Sequence, residues 1–241
     1  LQAQEKGEPI LKVFANYHQG ITDDDRSTAF EIKRIYLGYR QKLDQHFSAE
    51  VKLDVGSPED LSQFSLIRRY AYFKTAALYY NREKITVYMG LFDMKQFDLQ
   101  EDVWGYRYLY KSFQDEYKYG PSADIGAGVT YRINDYFSTD LVVSNGEGYK
   151  NLQSDDIFKF ALNTTIYFPG NIYLKMYVDQ MRKNISQRTY SLFLGTVKEK
   201  YRLGAEYNYR ENDYFIQSHN LKGISVFGTY IFNEKWEIYA R

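Results

Sequence analysis

Cysteine is missing from all 241 residues. Its absence excludes disulfides, thiolate metal sites and cysteine nucleophiles, and also the residue that carries a lipoprotein acyl anchor. No stretch approaches the ~20 consecutive apolar residues that a membrane-crossing helix needs, so helical spanning is excluded. Charge of one sign is missing too: 31 Lys and Arg balance 31 Asp and Glu, which leaves no basic surface for nucleic acid. Mean hydropathy is −0.57 and the length would suit one or two water-soluble domains. A transmembrane β-barrel leaves the same totals, because only alternate residues meet lipid. What the chain has in plenty is aromatic: 26 Tyr, 16 Phe and 2 Trp against 4 Pro. Tyr and Trp are the residues that form girdles at the two membrane surfaces.

The pattern of the chain is clearest between Ile85 and Arg132. Ile85, Val87, Met89 and Leu91 alternate with Thr86, Tyr88, Gly90 and Phe92; Ala123, Ile125, Ala127, Val129 and Tyr131 alternate with Asp124, Gly126, Gly128, Thr130 and Arg132. A period of two marks strands with one apolar face. The same alternation predicts outward faces at Leu11–Tyr17, Ala49–Val55, Ala71–Tyr79 (Phe73, Thr75 and Ala77 included), Leu141–Val143, Phe158–Ile166, Ile172–Val178, Tyr190–Leu194, Leu203–Tyr209 and Trp236–Ala240. Around Gly223–Phe232 both faces are apolar, and no lipid side is assigned. A change of phase at Lys33-Arg34 predicts a β-bulge that turns both cations inward.

Short polar turns recur at Asp44-Gln45-His46, Asn81-Arg82-Glu83, Asn134-Asp135-Tyr136, Pro169-Gly170-Asn171, Lys198-Glu199-Lys200 and Asn233-Glu234-Lys235. The alternate connections are longer: Ile21–Thr28, Ser57–Ile67, Asp98–Pro121, Gly146–Asp155, Lys183–Arg188 and Glu211–Asn220. Short turns at one end and long loops at the other predict an all-β, antiparallel transmembrane barrel with periplasmic turns and extracellular loops. About thirteen strands are visible, and single-chain bacterial barrels have an even number. The expectation is therefore 14 strands or more, the closing one lying beyond Arg241. Residues 1–9 are read as a tail, with Ala3 in Leu1-Gln2-Ala3 fitting a signal-peptide cut, and 10–241 as barrel.

Parity places Lys33, Arg34, Arg40, Lys74, Arg132, Lys159, Lys175, Arg202 and Arg210 inside, against Glu31, Glu50, Asp54, Asp124, Asp140, Asp179 and Glu206. They can tune a pore, or they can pair across strands and hold the barrel's shape. The long loop interleaves Trp104, Tyr106, Tyr108, Tyr110 and Phe113 with Arg107, Lys111, Asp115 and Glu116. It is too aromatic for disorder. It fits either a constriction inside the lumen or a compact rim loop packed on its own side chains. Asp23-Asp24-Asp25 reads as a solvated loop tip ahead of a divalent-cation site. His18, His46 and His219 have no catalytic spacing, and Asn145-Gly146-Glu147-Gly148 lacks the helix and Lys of a phosphate loop. No cofactor, metal or enzymatic activity is expected.

Four segments resemble the porin family of the Bacteroidetes that includes the phosphate-selective porins O and P. They are Phe30–Tyr39 (FEIKRIYLGY), Phe47–Gly56 (FSAEVKLDVG), Trp104–Tyr119 (WGYRYLYKSFQDEYKY) and Asn145–Lys150 (NGEGYK). The last two are the distinctive ones. The resemblance implies an outer-membrane porin of a Gram-negative bacterium that passes small polar solutes, surrounded by lipid and able to form a homo-oligomer. It does not carry phosphate selectivity, because an anion filter needs a lumen biased to Arg and Lys. The alternative is a closed barrel serving as a scaffold or subunit of an outer-membrane surface complex.

Overall fold

The computed structural model describes residues 7–19, 28–56, 71–151, 153 and 155–241, with the backbone alone for Asn16, His18, Thr28, Ala29 and Glu31. The readings of Leu1-Gln2-Ala3, of Asp23-Asp24-Asp25, of the His18 and Glu31 side chains, and of loops 21–27 and 57–67 lie outside the described residues.

Among the described residues the strands are β1 (Glu8–Gln19), β2 (Thr28–Lys42), β3 (Phe47–Val55), β4 (Ala71–Arg82), β5 (Ile85–Asp93), β6 (Ala123–Arg132), β7 (Phe137–Ser144), β8 (Lys159–Phe168), β9 (Ile172–Arg182), β10 (Ser186–Val197), β11 (Tyr201–Glu211), β12 (Leu221–Asn233) and β13 (Trp236–Ala240). They form one 13-stranded antiparallel sheet in chain order. β1 and β13 are its two edges, so the sheet is not closed among the described residues.

The two faces separate as the alternation requires. On β10, Tyr190, Leu192 and Leu194 are 41–51% exposed, while Thr189, Ser191 and Phe193 are at most 7% exposed. The apolar residues are therefore the uncovered ones, from Leu11 on β1 to Ile238 on β13. The opposite face carries the buried charges and the few buried aromatics. An apolar surface this extensive suits hydrocarbon and would be a liability in water.

Two bulges set the phase. Phe14 lies opposite Arg34 and Ala15 opposite Ile32, so the register steps over Lys33, as the phase change predicts. A second step was not legible: Lys52 pairs with Thr75 and Leu53 with Phe73, passing over Lys74. One extra residue turns every later side chain to the other face. Thr75 and Ala77 are consequently buried inside, and Tyr79 packs against the inner cluster of Tyr88 and Phe92, correcting the outward reading of these three. On β12, Ile224, Val226 and Tyr230 face outward, and Ser225, Phe227 and Thr229 are buried.

The six short turns fall at strand junctions, although β4 runs on through Asn81 and Arg82 and β12 through Asn233, and local polar groups close several of them. Asp44 accepts from the amides of His46 and Phe47, both at 2.7 Å. Asn233 likewise accepts from those of Lys235 and Trp236, the Asx geometry that favours these residues in turns. One expected long loop is short: β10 begins at Ser186, so only 183–185 join it to β9 in place of Lys183–Arg188. β1 begins at Glu8, inside the expected tail.

Replacing Leu192, in the middle of β10, with Arg is expected to cost about 2–4 kcal/mol in a bilayer. Glu234→Arg in the β12–β13 turn is expected to cost nearly nothing. Urea unfolding from lipid vesicles measures both.

Candidate functional site

The connection from β5 to β6 carries α1 (Asp98–Trp104) and α2 (Phe113–Glu116). α1 ends at Gly105, whose φ of 74° only glycine adopts easily and whose amide donates to the Glu101 carbonyl at 2.8 Å. A side chain at 105 would also strike the Arg202 guanidinium from β11. Val103 and Trp104 leave α1 to pack with Tyr106, Phe193 of β10 and Phe227 of β12. Trp104 meets Phe227 edge-on at 5.3 Å, and its indole N–H donates to the Tyr110 carbonyl at 2.8 Å. Tyr106 stacks on Tyr239 of β13 at 4.8 Å.

Polar contacts tie the same loop to other strands. Lys175 of β9 reaches Asp98. Gln114 donates to Ser191 of β10 at 2.9 Å, Arg210 of β11 to the Lys118 carbonyl at 3.1 Å, and Lys74 of β4 to Ser122 at 2.6 Å. Arg241 donates to the Lys111 carbonyl at 2.6 Å and lies over the rings of Trp104, Tyr110 and Phe113. The loop thus touches the polar face of the sheet from β4 to β13.

Within the loop, Arg107 is the central tie. It reaches Glu101 and Asp115, each at 2.5 Å. Burial works against the guanidinium's charge, but these two carboxylates raise its pKa. One cation serves two anions here. Burial, opposed by Arg107 and reinforced by Asp115, raises Glu101 above the usual glutamate range. Tyr108, Tyr110 and Lys111 are exposed, Phe113, Asp115 and Glu116 half-buried, and Trp104 and Tyr106 buried.

The inward charges form mixed-sign networks. Glu50 holds Arg40 at 2.5 Å and Lys52 at 3.6 Å; Lys52 meets Asp93 at 2.5 Å, and Asp93 meets Lys74 at 3.3 Å. Arg34 lies 3.2 Å from Asp54, which also accepts from the Tyr149 hydroxyl at 2.6 Å. Lys159 is 3.5 Å from Asp179, and Arg210 is 3.0 Å from Asp213. Asp140 is held by Lys95 at 3.0 Å, and Glu206 by the Asn208 amide at 3.0 Å. Asp124 instead accepts from the amides of Gly146 at 2.5 Å and Gly148 at 3.2 Å, fixing the β7–β8 loop. Lys33 is exposed at the bulge, and Arg132 lies exposed near its turn, 3.4 Å from Asp135.

Parity reasoning missed Asp93, Lys95, Gln114 and Tyr149. Three lie in loops, where no period operates. Asp93 has outward parity at the end of β5 and reaches Lys52 and Lys74 from there. Above the interior loop, Arg34, Arg107, Lys118, Glu147 and Tyr149 border a cavity of about 230 Å³. This joins the two segments, Trp104–Tyr119 and Asn145–Lys150, that carry the resemblance.

Because Glu101 has a raised pKa in the folded loop, its contribution to loop stability is lost as pH rises through that value. Acidification from neutral pH is expected to slow proteolysis between Gly105 and Lys118, and Glu101→Gln to remove that dependence. Arg107→Ala, which strands both carboxylates, is expected to speed cleavage at every pH.

No protein-family model matches the sequence, and no curated protein matches it. Solved structures do resemble it in fold. The outer-membrane channel DcaP of Acinetobacter baumannii superposes with a TM-score of 0.58 at 10% identity, over 97% of this chain and 77% of DcaP. Outer-membrane OmpT of Vibrio cholerae gives 0.57 at 11% identity, over 98% of this chain and 75% of OmpT. The fold of this chain is the antiparallel transmembrane β-barrel fold of outer-membrane proteins.

Proposed function

We propose that the chain forms an outer-membrane, porin-like channel through which small polar solutes diffuse passively, with the α1–α2 loop as its constriction. One observation supports this above the rest: a loop anchored by Lys74, Lys175, Ser191 and Arg210 lies across a charged interior and leaves Tyr108, Tyr110 and Lys111 uncovered. The pore lining would comprise Lys33, Arg34, Arg40, Glu50, Asp54, Lys74, Asp124, Arg132, Asp140, Lys159, Lys175, Asp179, Arg202, Glu206 and Arg210. The constriction would comprise Trp104, Tyr106, Arg107, Tyr108, Tyr110, Lys111, Phe113, Asp115 and Glu116. Lipid surrounds the apolar face.

β1 and β13 run in the same direction, so an antiparallel closure takes at least one further strand between them, giving 14 or more. The resemblance to the Bacteroidetes porins is carried as far as an outer-membrane channel. A phosphate filter is not part of the proposal, since the buried cations are matched by carboxylates.

The second reading, a closed barrel acting as a scaffold in a surface complex, is favoured by the buried aromatic cluster of Trp104, Phe193 and Phe227 and by the same ion pairs. Planar-bilayer recording separates the two. The channel reading expects steady conductance, and Trp104→Ala, costing about 3–5 kcal/mol of packing, should make it larger and noisier. A folded, heat-modifiable protein that never conducts would instead support the scaffold.

A further inference from the structure

Beneath α1, toward the short-turn end, lies a second, partly open cavity of about 170 Å³, walled by Lys95, Asp98, the exposed Asp102, Asp140, Asn163 and Tyr167 among others. Its chemistry is an excess of acceptors. Lys95 places its ammonium between Asp140 at 3.0 Å and Thr130 at 2.6 Å, 5.4 Å from the centre of the Tyr88 ring. This built-in ammonium neutralises Asp140 and shows the kind of group the wall receives.

Two further acceptors remain. Asp98 and Asp102 are one helical turn apart on α1, so they share a face. Asp98 is matched by Lys175, but Asp102 makes no hydrogen bond or ion pair among the described residues. Asn163 is 5% exposed, and its Nδ2 donates to the Lys95 carbonyl and to Asp140, both at 3.3 Å. Those two bonds fix the amide's orientation and leave its buried Oδ1 without a hydrogen-bond partner. A buried acceptor left unmatched costs about 1–3 kcal/mol, and a bound donor removes that cost.

We infer that this cavity is a subsite for a small organic cation bearing N–H donors, an alkylammonium or diamine, held by Asp102 and the Asn163 carbonyl oxygen. The size fits: at about 30 Å³ per water the cavity takes a chain of a few carbons. A metal ion fits less well, because no three carboxylate or histidine side chains converge among the described residues. The inference rests on the channel reading, since it gives that interior a class of solute, but it is tested separately.

The probe is 1,4-diaminobutane, followed by saturation-transfer NMR on the full chain in detergent micelles, with glycerol and calcium chloride as comparators. Transfer to the diamine and not to glycerol is expected. Asp102→Asn should weaken binding by about tenfold, the scale of one lost charge-assisted contact, while Lys235→Gln, exposed in the β12–β13 turn, should leave it unchanged. Folding of each variant is checked by heat-shifted gel mobility. Equal transfer to glycerol, displacement by low calcium, or a folded Asp102→Asn that binds like the parent overturns the inference. Bilayer conductance without diamine binding would remove this subsite alone; diamine binding without conductance would remove the channel and leave the subsite standing.

Discussion

Hydrocarbon offers no partner for a peptide N–H or C=O, so each strand here must satisfy its neighbours, and every second side chain must be apolar. The rest of the architecture follows from that demand. Each strand pairs with the next along the chain, because short turns make that the easiest way to satisfy the backbone. The bulges at Lys33 and Lys74 are tolerated because each leaves an apolar residue, Ile32 or Phe73, on the lipid side. Polar side chains then have one place to go.

Sending so many charges to one face sets a second requirement. A buried carboxylate without a cation is costly, and a buried pair gains little over an apolar substitute. Networks such as Arg40–Glu50–Lys52–Asp93–Lys74 are therefore better understood as a means of keeping the interior polar at tolerable cost than as a source of stability. The interior loop relies on the same kind of pairing, through Arg107 between Glu101 and Asp115. Its apolar side docks where β10 and β12 present Phe193 and Phe227.

That docking explains what the sequence could and could not reveal. Alternation is a local property, and it placed the strands other than β12 and both members of pairs such as Lys159–Asp179. It failed where a distant segment changed the environment. Phe227 leaves both faces of β12 apolar, and its lipid side unassigned, until Trp104 is seen covering it. Thr75 and Ala77 read outward because Lys74 carries no bulge signal of its own, unlike Lys33-Arg34, where two adjacent cations break the period. Ser186–Arg188 read as loop because their polarity is that of residues beyond the lipid, where β9 and β10 continue their pairing. The partners of the loop, Gln114 with Ser191 or Tyr149 with Asp54, are far apart in sequence and leave no periodic trace.

The charge along the interior is layered and not uniform. Above the loop the lining includes Arg34, Arg107, Lys111 and Lys118 with Asp115 and Glu147; below it lie Asp98, Asp102 and Asp140 with Lys95. A filter for one sign needs a field that persists along the path, whereas in physiological salt the field of an exposed charge fades over about 8 Å. In the proposed channel, layers of opposite bias separated by a packed aromatic loop would therefore act one after another, each on the part of a solute beside it. Under the channel reading proposed above, such an interior would reject by size at the Trp104–Phe113 segment, and would sort by where a solute carries its charge more than by the sign of its total.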